Sequence, residues 1–208
     1  NSIKNLIEDP KSRKLNNFLT LKNSPELNQY NFTYAKNKLI LKKMDEIIIS
    51  INPFSKNEKK LLCDKINQII LKDKKLDLLM DEKNPFFDTM PNNSISLINK
   101  KSISDFSNKI STNIEIERFR ANIYIDGLAA WEERNWIGKT IKINNIDFIV
   151  SGEISRCSAT NLKPSTDIVT INLPNQLKKT YDHINMGIYL VPLQNGVISK
   201  NDKIIIYD

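Results

Sequence analysis

Ile141-Lys142-Ile143-Asn144-Asn145-Ile146-Asp147-Phe148-Ile149-Val150 is the stretch whose pattern decides the fold. Apolar residues recur at every second position on both sides of an asparagine pair. Side chains alternate across a strand, and asparagine tolerates tight-turn backbone, so the pattern predicts a β-hairpin. Outward from it, Ile123 and Ile125 alternate in the same way, and Gly187-Ile188-Tyr189-Leu190-Val191 and Lys203-Ile204-Ile205-Ile206 read as further strands. A short helix is expected after Pro174, because Leu173, Leu177 and Tyr181 fall at i, i+4 and i+8. A longer one is expected from Ser102, with Asp105 three residues on and Ile103, Phe106 and Ile110 on one face. Many short strands with few helices suggest a closed or nearly closed barrel, which protects strand edges.

The N-terminal part has its own pattern. Phe32-Thr33-Tyr34 and Leu39-Ile40-Leu41 flank the polar turn Lys36-Asn37-Lys38, and Ile47-Ile48-Ile49 follows. Ser55 and Glu58 have capping-box spacing before a helix whose apolar face carries Leu62, Ile66, Ile69 and Ile70. Cys63 lies beside that stripe and reads as packing. Residues 72–93 turn charged and then rich in Pro and Asn, which is linker chemistry. Two domains are expected, 1–80 and 81–208.

At 208 residues with 40% apolar and 26% charged composition, the chain can build a core without disulfides or structural metals. Its two cysteines form no zinc or disulfide motif. No apolar run approaches the ~18 residues of a membrane helix, and no secretion signal follows Asn1, so a reducing cytoplasm is the default location. The net charge of +7 resides mainly on lysines interleaved with Asp and Glu. Without a basic stripe or exposed aromatics in register, it reads as a solvated surface rather than a nucleic-acid interface. His183 beside Asp182 reads as an exposed turn residue, and Trp131 and Trp136 as packing anchors. No Ser-His-Asp grouping supports hydrolysis.

Chemistry concentrates around Ser155-Arg156-Cys157-Ser158-Ala159-Thr160, downstream of Arg118-Phe119-Arg120-Ala121-Asn122. A thiol beside a guanidinium ionises more readily, and thiolate is the form that ligates soft metals. Arg118 and Arg120 would share one face if their segment were a strand, and either could pair with Glu115 or Glu117.

These residues also carry a resemblance. Phe87-Asp88, Ser94-Ile95-Ser96-Leu97-Ile98, Arg118-Phe119-Arg120-Ala121-Asn122, Asp126-Gly127, Trp136-Ile137-Gly138, Arg156-Cys157, Gly187-Ile188-Tyr189 and Gly196-Val197-Ile198 stand in the order of the MOSC domain, named for the C-terminal part of molybdenum-cofactor sulfurases. Phe18-Leu19-Thr20-Leu21-Lys22 and Pro25-Glu26-Leu27 resemble the β-barrel domain that precedes it in the amidoxime-reducing branch. The fold this implies is mainly β with some α (α+β), a MOSC-type β-barrel with a partial N-terminal β-rich subdomain.

The resemblance further implies a molybdenum–pterin cofactor. Cys157 would ligate molybdenum in a reductase or carry a persulfide in a sulfur carrier. Arg120, Asn122, Ser155, Arg156, Tyr189 and Arg118 would hold the cofactor, with Arg120 favoured over Arg118. A reductase would remove oxygen from N-hydroxylated compounds using an external electron donor protein. A carrier would need a sulfur donor and acceptor, and a non-catalytic cofactor-binding module is the third reading. The family's Asp-Pro-x-Thr-Gly run stands here as Lys163-Pro164-Ser165-Thr166-Asp167.

Overall fold

The computed structural model describes residues 6, 8, 9, 13–81 and 94–207. The chain divides into two compact units, Asn1–Pro91 with Leu162–Thr170, and Asn92–Asn161 with Ile171–Asp208. Phe87, Asp88 and the Pro91-Asn92-Asn93 run lie outside the described residues.

In the first unit, β1 (Tyr30–Ala35), β2 (Lys38–Lys43) and β3 (Glu46–Ile51) form an antiparallel meander. The first turn is only Lys36-Asn37, both with positive φ, and Lys38 already pairs with Ala35. Helix α1 (Lys56–Ile70) starts where Ser55 accepts from the Glu58 amide at 3.4 Å. The Glu58 carboxylate reaches back to the Asn52 amide at 2.8 Å. Leu62, Ile66 and Ile70 bury against Leu41 and Ile51, each fully buried side chain contributing roughly 1.5–3 kcal/mol. Cys63, half-buried beside the stripe, lines a cavity of about 610 Å³ with Leu76 and Leu78. Burial, then Asp77, pushes its thiol up from the ordinary value. Segment Leu162–Thr170 belongs to this unit: Asn28 Nδ2 donates to the Lys163 and Thr166 carbonyls at 2.9 and 2.6 Å.

The second unit is a six-stranded sheet ordered β5-β4-β8-β7-β6-β9, from β4 (Ile95–Asn99), β5 (Ile123–Ile125), β6 (Thr140–Ile143), β7 (Ile146–Ser155), β8 (Asn185–Pro192) and β9 (Ile204–Ile206). All neighbours run antiparallel except β4 and β5. The hairpin read from sequence is β6–β7, with Ile141 opposite Phe148, Ile143 opposite Ile146, and Asn144 at φ 55° in the turn. Its inward residues join Leu97, Trp136, Ile188 and Leu190 in one core.

Helices α2 (Lys100–Lys109) and α3 (Leu173–Tyr181) build a second core from Ile103, Phe106, Leu173 and Leu177 with Ile98 and Met186. Leu97 and Ile98 point to opposite faces of β4 and are both fully buried, so that strand is covered on both sides. The end strands β5 and β9 border a common cleft of about 810 Å³ together with Ile198 and Lys203. The expected α+β barrel is found as a half-barrel, and among the described residues its edge strands β5 and β9 border one cleft without pairing. Gly187 permits the close crossing of β8 and β4, since a Cβ there would stand 2.5 Å from the Leu97 carbonyl and Ile98 Cγ1. Among the described residues no helix is long and apolar enough to cross a membrane.

Two local expectations are corrected. Ser102 does not cap α2; Asn99 does, accepting from the Lys101 amide at 3.0 Å. Ser102 lies inside the helix, fully buried, donating to Glu133 at 2.8 Å and accepting from the Trp131 amide at 2.8 Å. Arg118 and Arg120 do not sit on a strand. Ile116–Phe119 forms a 3₁₀ turn that ends at Arg120 in the left-handed region, φ 49°, and the two side chains differ in burial, Arg118 buried and Arg120 exposed.

Candidate functional site

Cys157 stands where β7 gives way to a 3₁₀ turn at Ser158–Asn161. Its carbonyl accepts from the Thr160 amide at 3.0 Å and the Thr160 hydroxyl at 2.8 Å. The preceding Arg156 amide donates to the Ile184 carbonyl at 2.9 Å. The backbone is therefore pinned on both sides of a thiol that is half-buried.

The three arginines divide by burial. Arg156 is 8% exposed. Its Nε donates to the Met186 carbonyl at 2.9 Å, its Nη2 to the same oxygen, and its Nη1 to the Phe119 carbonyl at 3.2 Å. The guanidinium lies over the Phe119 ring, 5.2 Å from its centre. Burial pushes its pKa down to about 10, partly offset by Tyr189 and by Cys157 itself. It remains a cation at neutral pH. Arg118 is 4% exposed. It pairs with Glu115 at 2.6 Å and donates to the Asn161 carbonyl at 3.1 Å. Both side chains tie the loops around the cysteine together through backbone carbonyls. Arg120 alone of the three is exposed, with Nη1 near the Arg118 and Ala159 carbonyls at 3.2 and 3.4 Å.

Asn122 is exposed and faces Ser96. Its Oδ1 accepts from the Ser96 amide and hydroxyl at 2.9 and 2.8 Å, and its own amide donates to the Ser96 hydroxyl at 3.0 Å. Tyr189, half-buried on β8, lies opposite Ser96 in the β4–β8 ladder. Asn122 also lines the 810 Å³ cleft, whose walls include neither Cys157, Arg120, Ser155 nor Tyr189. Ser155, exposed at the end of β7, donates to Asn185 Oδ1 at 2.8 Å. Ser96 and Asn185 were not singled out in the sequence. A polar residue opposite a candidate in strand register was the only signal available.

His183 is not an exposed turn residue. Its ring stacks on Tyr181 at 5.7 Å, and its Nε2 lies 2.7 Å from Arg134 Nη1. Burial, then the Arg134 charge, lowers its pKa. Trp131 donates to Asp105 at 2.8 Å and packs 4.5 Å from Tyr181. Trp136 is a core anchor, as expected.

Among the described residues no cluster of three His, Cys, Asp or Glu could cage a metal. A metal beside Cys157 would therefore bring its other ligands with it, as a pterin dithiolene does for molybdenum. One soft sulfur donor, one exposed guanidinium and two exposed hydrogen-bonding side chains fit such a group.

The family model for the MOSC domain matches residues 86–205. The mitochondrial amidoxime reducing component 2 of Bos taurus is 25% identical over 113 residues, covering 53% of this chain and 33% of that protein. The protein of the same name from Rattus norvegicus is 29% identical over 87 residues, covering 42% of this chain and 25% of its own. The chain thus spans a third or less of those relatives. The crystal structure of YiiM from Geobacillus stearothermophilus aligns with a TM-score of 0.44 at 18% identity, over 55% of this chain and 54% of that one. With the family model spanning more than half of the 208 residues, the chain belongs to the MOSC domain family.

Proposed function

We propose that the chain binds a molybdenum–pterin cofactor and reduces N-hydroxylated compounds, with Cys157 as the protein ligand to molybdenum. The observation that carries this reading is the half-buried thiol on a pinned backbone, with the exposed Arg120 guanidinium meeting the Ala159 carbonyl two residues on, while Arg118 and Arg156 are buried. Arg120 would take the cofactor phosphate as a charge-assisted donor. Asn122 and Ser155 would meet the pterin edge, and Tyr189 would flank it. Arg118 and Arg156 would act from behind, fixing the loops that carry Cys157 and supplying a permanent positive charge. When bound, the cofactor supplies two-electron chemistry at a site where oxygen can be removed from nitrogen. An N-hydroxyl group takes up two electrons and two protons, giving N–H and water, so an external electron donor protein is required. The names of the mammalian relatives agree with this substrate class.

The test is metal and pterin analysis of freshly purified protein, wild type and Cys157→Ser. The expected result is near-stoichiometric molybdenum in the wild type and its loss in the variant. Molybdenum and reductase activity unchanged in Cys157→Ser would overturn the site assignment. A one-sulfur mass adduct on Cys157 in metal-free protein would instead support a persulfide carrier.

A further inference from the structure

A run of hydrogen bonds leads away from the Ser155 side of the cysteine, and its polarity is dictated from the far end. Arg134 can only donate, and its Nε meets Glu153 Oε1 in an ion pair whose side chains are 33% and 22% exposed. A carboxylate can only accept, and the other Glu153 oxygen is met by Asn185 Nδ2. That contact selects one of the two amide orientations open to Asn185, nitrogen toward Glu153 and oxygen toward Ser155. Ser155 and Asn185 are cross-strand partners in the β7–β8 ladder, which holds the two side chains opposite each other. Since an amide oxygen only accepts, the single hydroxyl hydrogen of Ser155 is directed at Asn185 Oδ1, 2.8 Å away.

We infer that Ser155 presents only acceptor lone pairs to whatever lies against it, so its occupant meets it with an N–H or O–H donor, and that Glu153 and Asn185 are the positioning residues that enforce this polarity. The hydroxyl is exposed, and no other bond to its oxygen is made among the described residues. Asn122 has the reverse polarity: its Oδ1 is engaged by Ser96, which leaves its Nδ2 hydrogens to donate. The inference rests on the cofactor reading in one respect, that the occupant is the pterin, whose ring N–H groups are donors of the required kind. A serine free to rotate would accept a donor or an acceptor equally. The run removes that tolerance two side chains away from the ligand.

Glu153→Gln is the discriminating variant, because a glutamine amide can donate as well as accept and so releases Asn185 to flip. Two readouts separate this inference from the cofactor reading. The first needs no cofactor. In the side-chain amide spectrum of metal-free protein, the Asn185 Nδ2 protons should exchange slowly with solvent in the wild type and about tenfold faster in Glu153→Gln, the loss of roughly one good hydrogen bond. The second is pterin retained after desalting, read by fluorescence. Glu153→Gln and Asn185→Ala should each retain about tenfold less than wild type, and neither should lower retention further once Ser155→Ala is present. Wild-type retention in Glu153→Gln, or equal losses with and without Ser155→Ala, would overturn the inference. Unchanged Asn185 exchange in Glu153→Gln would overturn it as well. Wild-type protein that takes up no pterin would sink the cofactor reading, while the exchange measurement would still decide the polarity.

Discussion

Arg120→Gly separates ligand holding from folding. Arg120 occupies the left-handed region at φ 49°, which costs a non-glycine residue about 1–2 kcal/mol. Glycine removes that strain but adds about 0.5–1 kcal/mol of unfolded-chain entropy. It also gives up the bonds to the Arg118 and Ala159 carbonyls. At 3.2 and 3.4 Å with an exposed donor, these contribute only about 0.5 kcal/mol each. The strain and entropy terms nearly cancel, so the side chain's bonds to the scaffold set the net change, expected at about 1–2 kcal/mol, with Tm lowered by about 8 °C or less for a chain of this size. Loss of a charge-assisted bond to a phosphate, about 1.5–3 kcal/mol, should lower cofactor retention about 10- to 100-fold. Differential scanning calorimetry of metal-free protein and pterin fluorescence of loaded protein measure the two quantities. Undiminished pterin, or a Tm lowered by ten degrees or more, would show that Arg120 belongs to the scaffold.

His183 should titrate below its ordinary 6.5, because burial and the Arg134 guanidinium both disfavour the imidazolium. Its contribution to stability is complete above pH 6.5 and is lost as pH falls through the folded-state pKa. An NMR titration checks this, with Arg134→Gln expected to move the midpoint upward; a wild-type midpoint at or above 6.5 contradicts it. Glu133 has the opposite sign. Complete burial raises its carboxyl pKa despite the bonds from Ser102 and Asn99. Its contribution is therefore full below pH 4.5 and fades as pH rises through the folded-state value. Glu133→Gln should flatten that decline in a Tm-against-pH series, and an identical decline in both proteins contradicts the reasoning. Gly187→Ala forces a Cβ to 2.5 Å from the Leu97 carbonyl at φ +81°, a destabilisation of at least about 2 kcal/mol. A Tm within two degrees of wild type would refute the close crossing.

What the sequence disclosed was what depends on local period. The 141–150 hairpin, the Leu62–Ile66–Ile70 stripe and the Leu173–Leu177 face are set by neighbours a few residues apart, and each is found as read. What it hid depends on partners far along the chain. Asn99 and Ser102 are both chemically able to cap α2. Ser102 is withdrawn from that role by Glu133, thirty-one positions away. The Arg118–Arg120 segment has acceptable strand composition. Its 3₁₀ turn is stabilised by carbonyls at Thr160 and Asn161, more than forty positions on. Leu162–Thr170 lies inside the family match yet packs with the N-terminal unit through Asn28. No local pattern in those residues could announce that.

The arginines show why residue type and motif position cannot by themselves assign a ligand role. A guanidinium offers five donors, and sequence leaves open whether they face solvent, a phosphate or the protein's own carbonyls. Arg156 bridges Met186 on β8 and the Phe119 carbonyl from a buried position. Turning it toward a ligand would strand those acceptors, at about 1–3 kcal/mol each. Arg118 is held in the same way by Glu115 and Asn161. Neither can exchange its partners for a phosphate without loosening the loops on either side of Cys157. Arg120 also meets carbonyls, those of Arg118 and Ala159, but from an exposed position, and it is the one of the three with a positive φ. Its φ of 49° at an exposed cation, beside two buried arginines held by carbonyls, makes Arg120 the position of the three at which ligand holding is tested first.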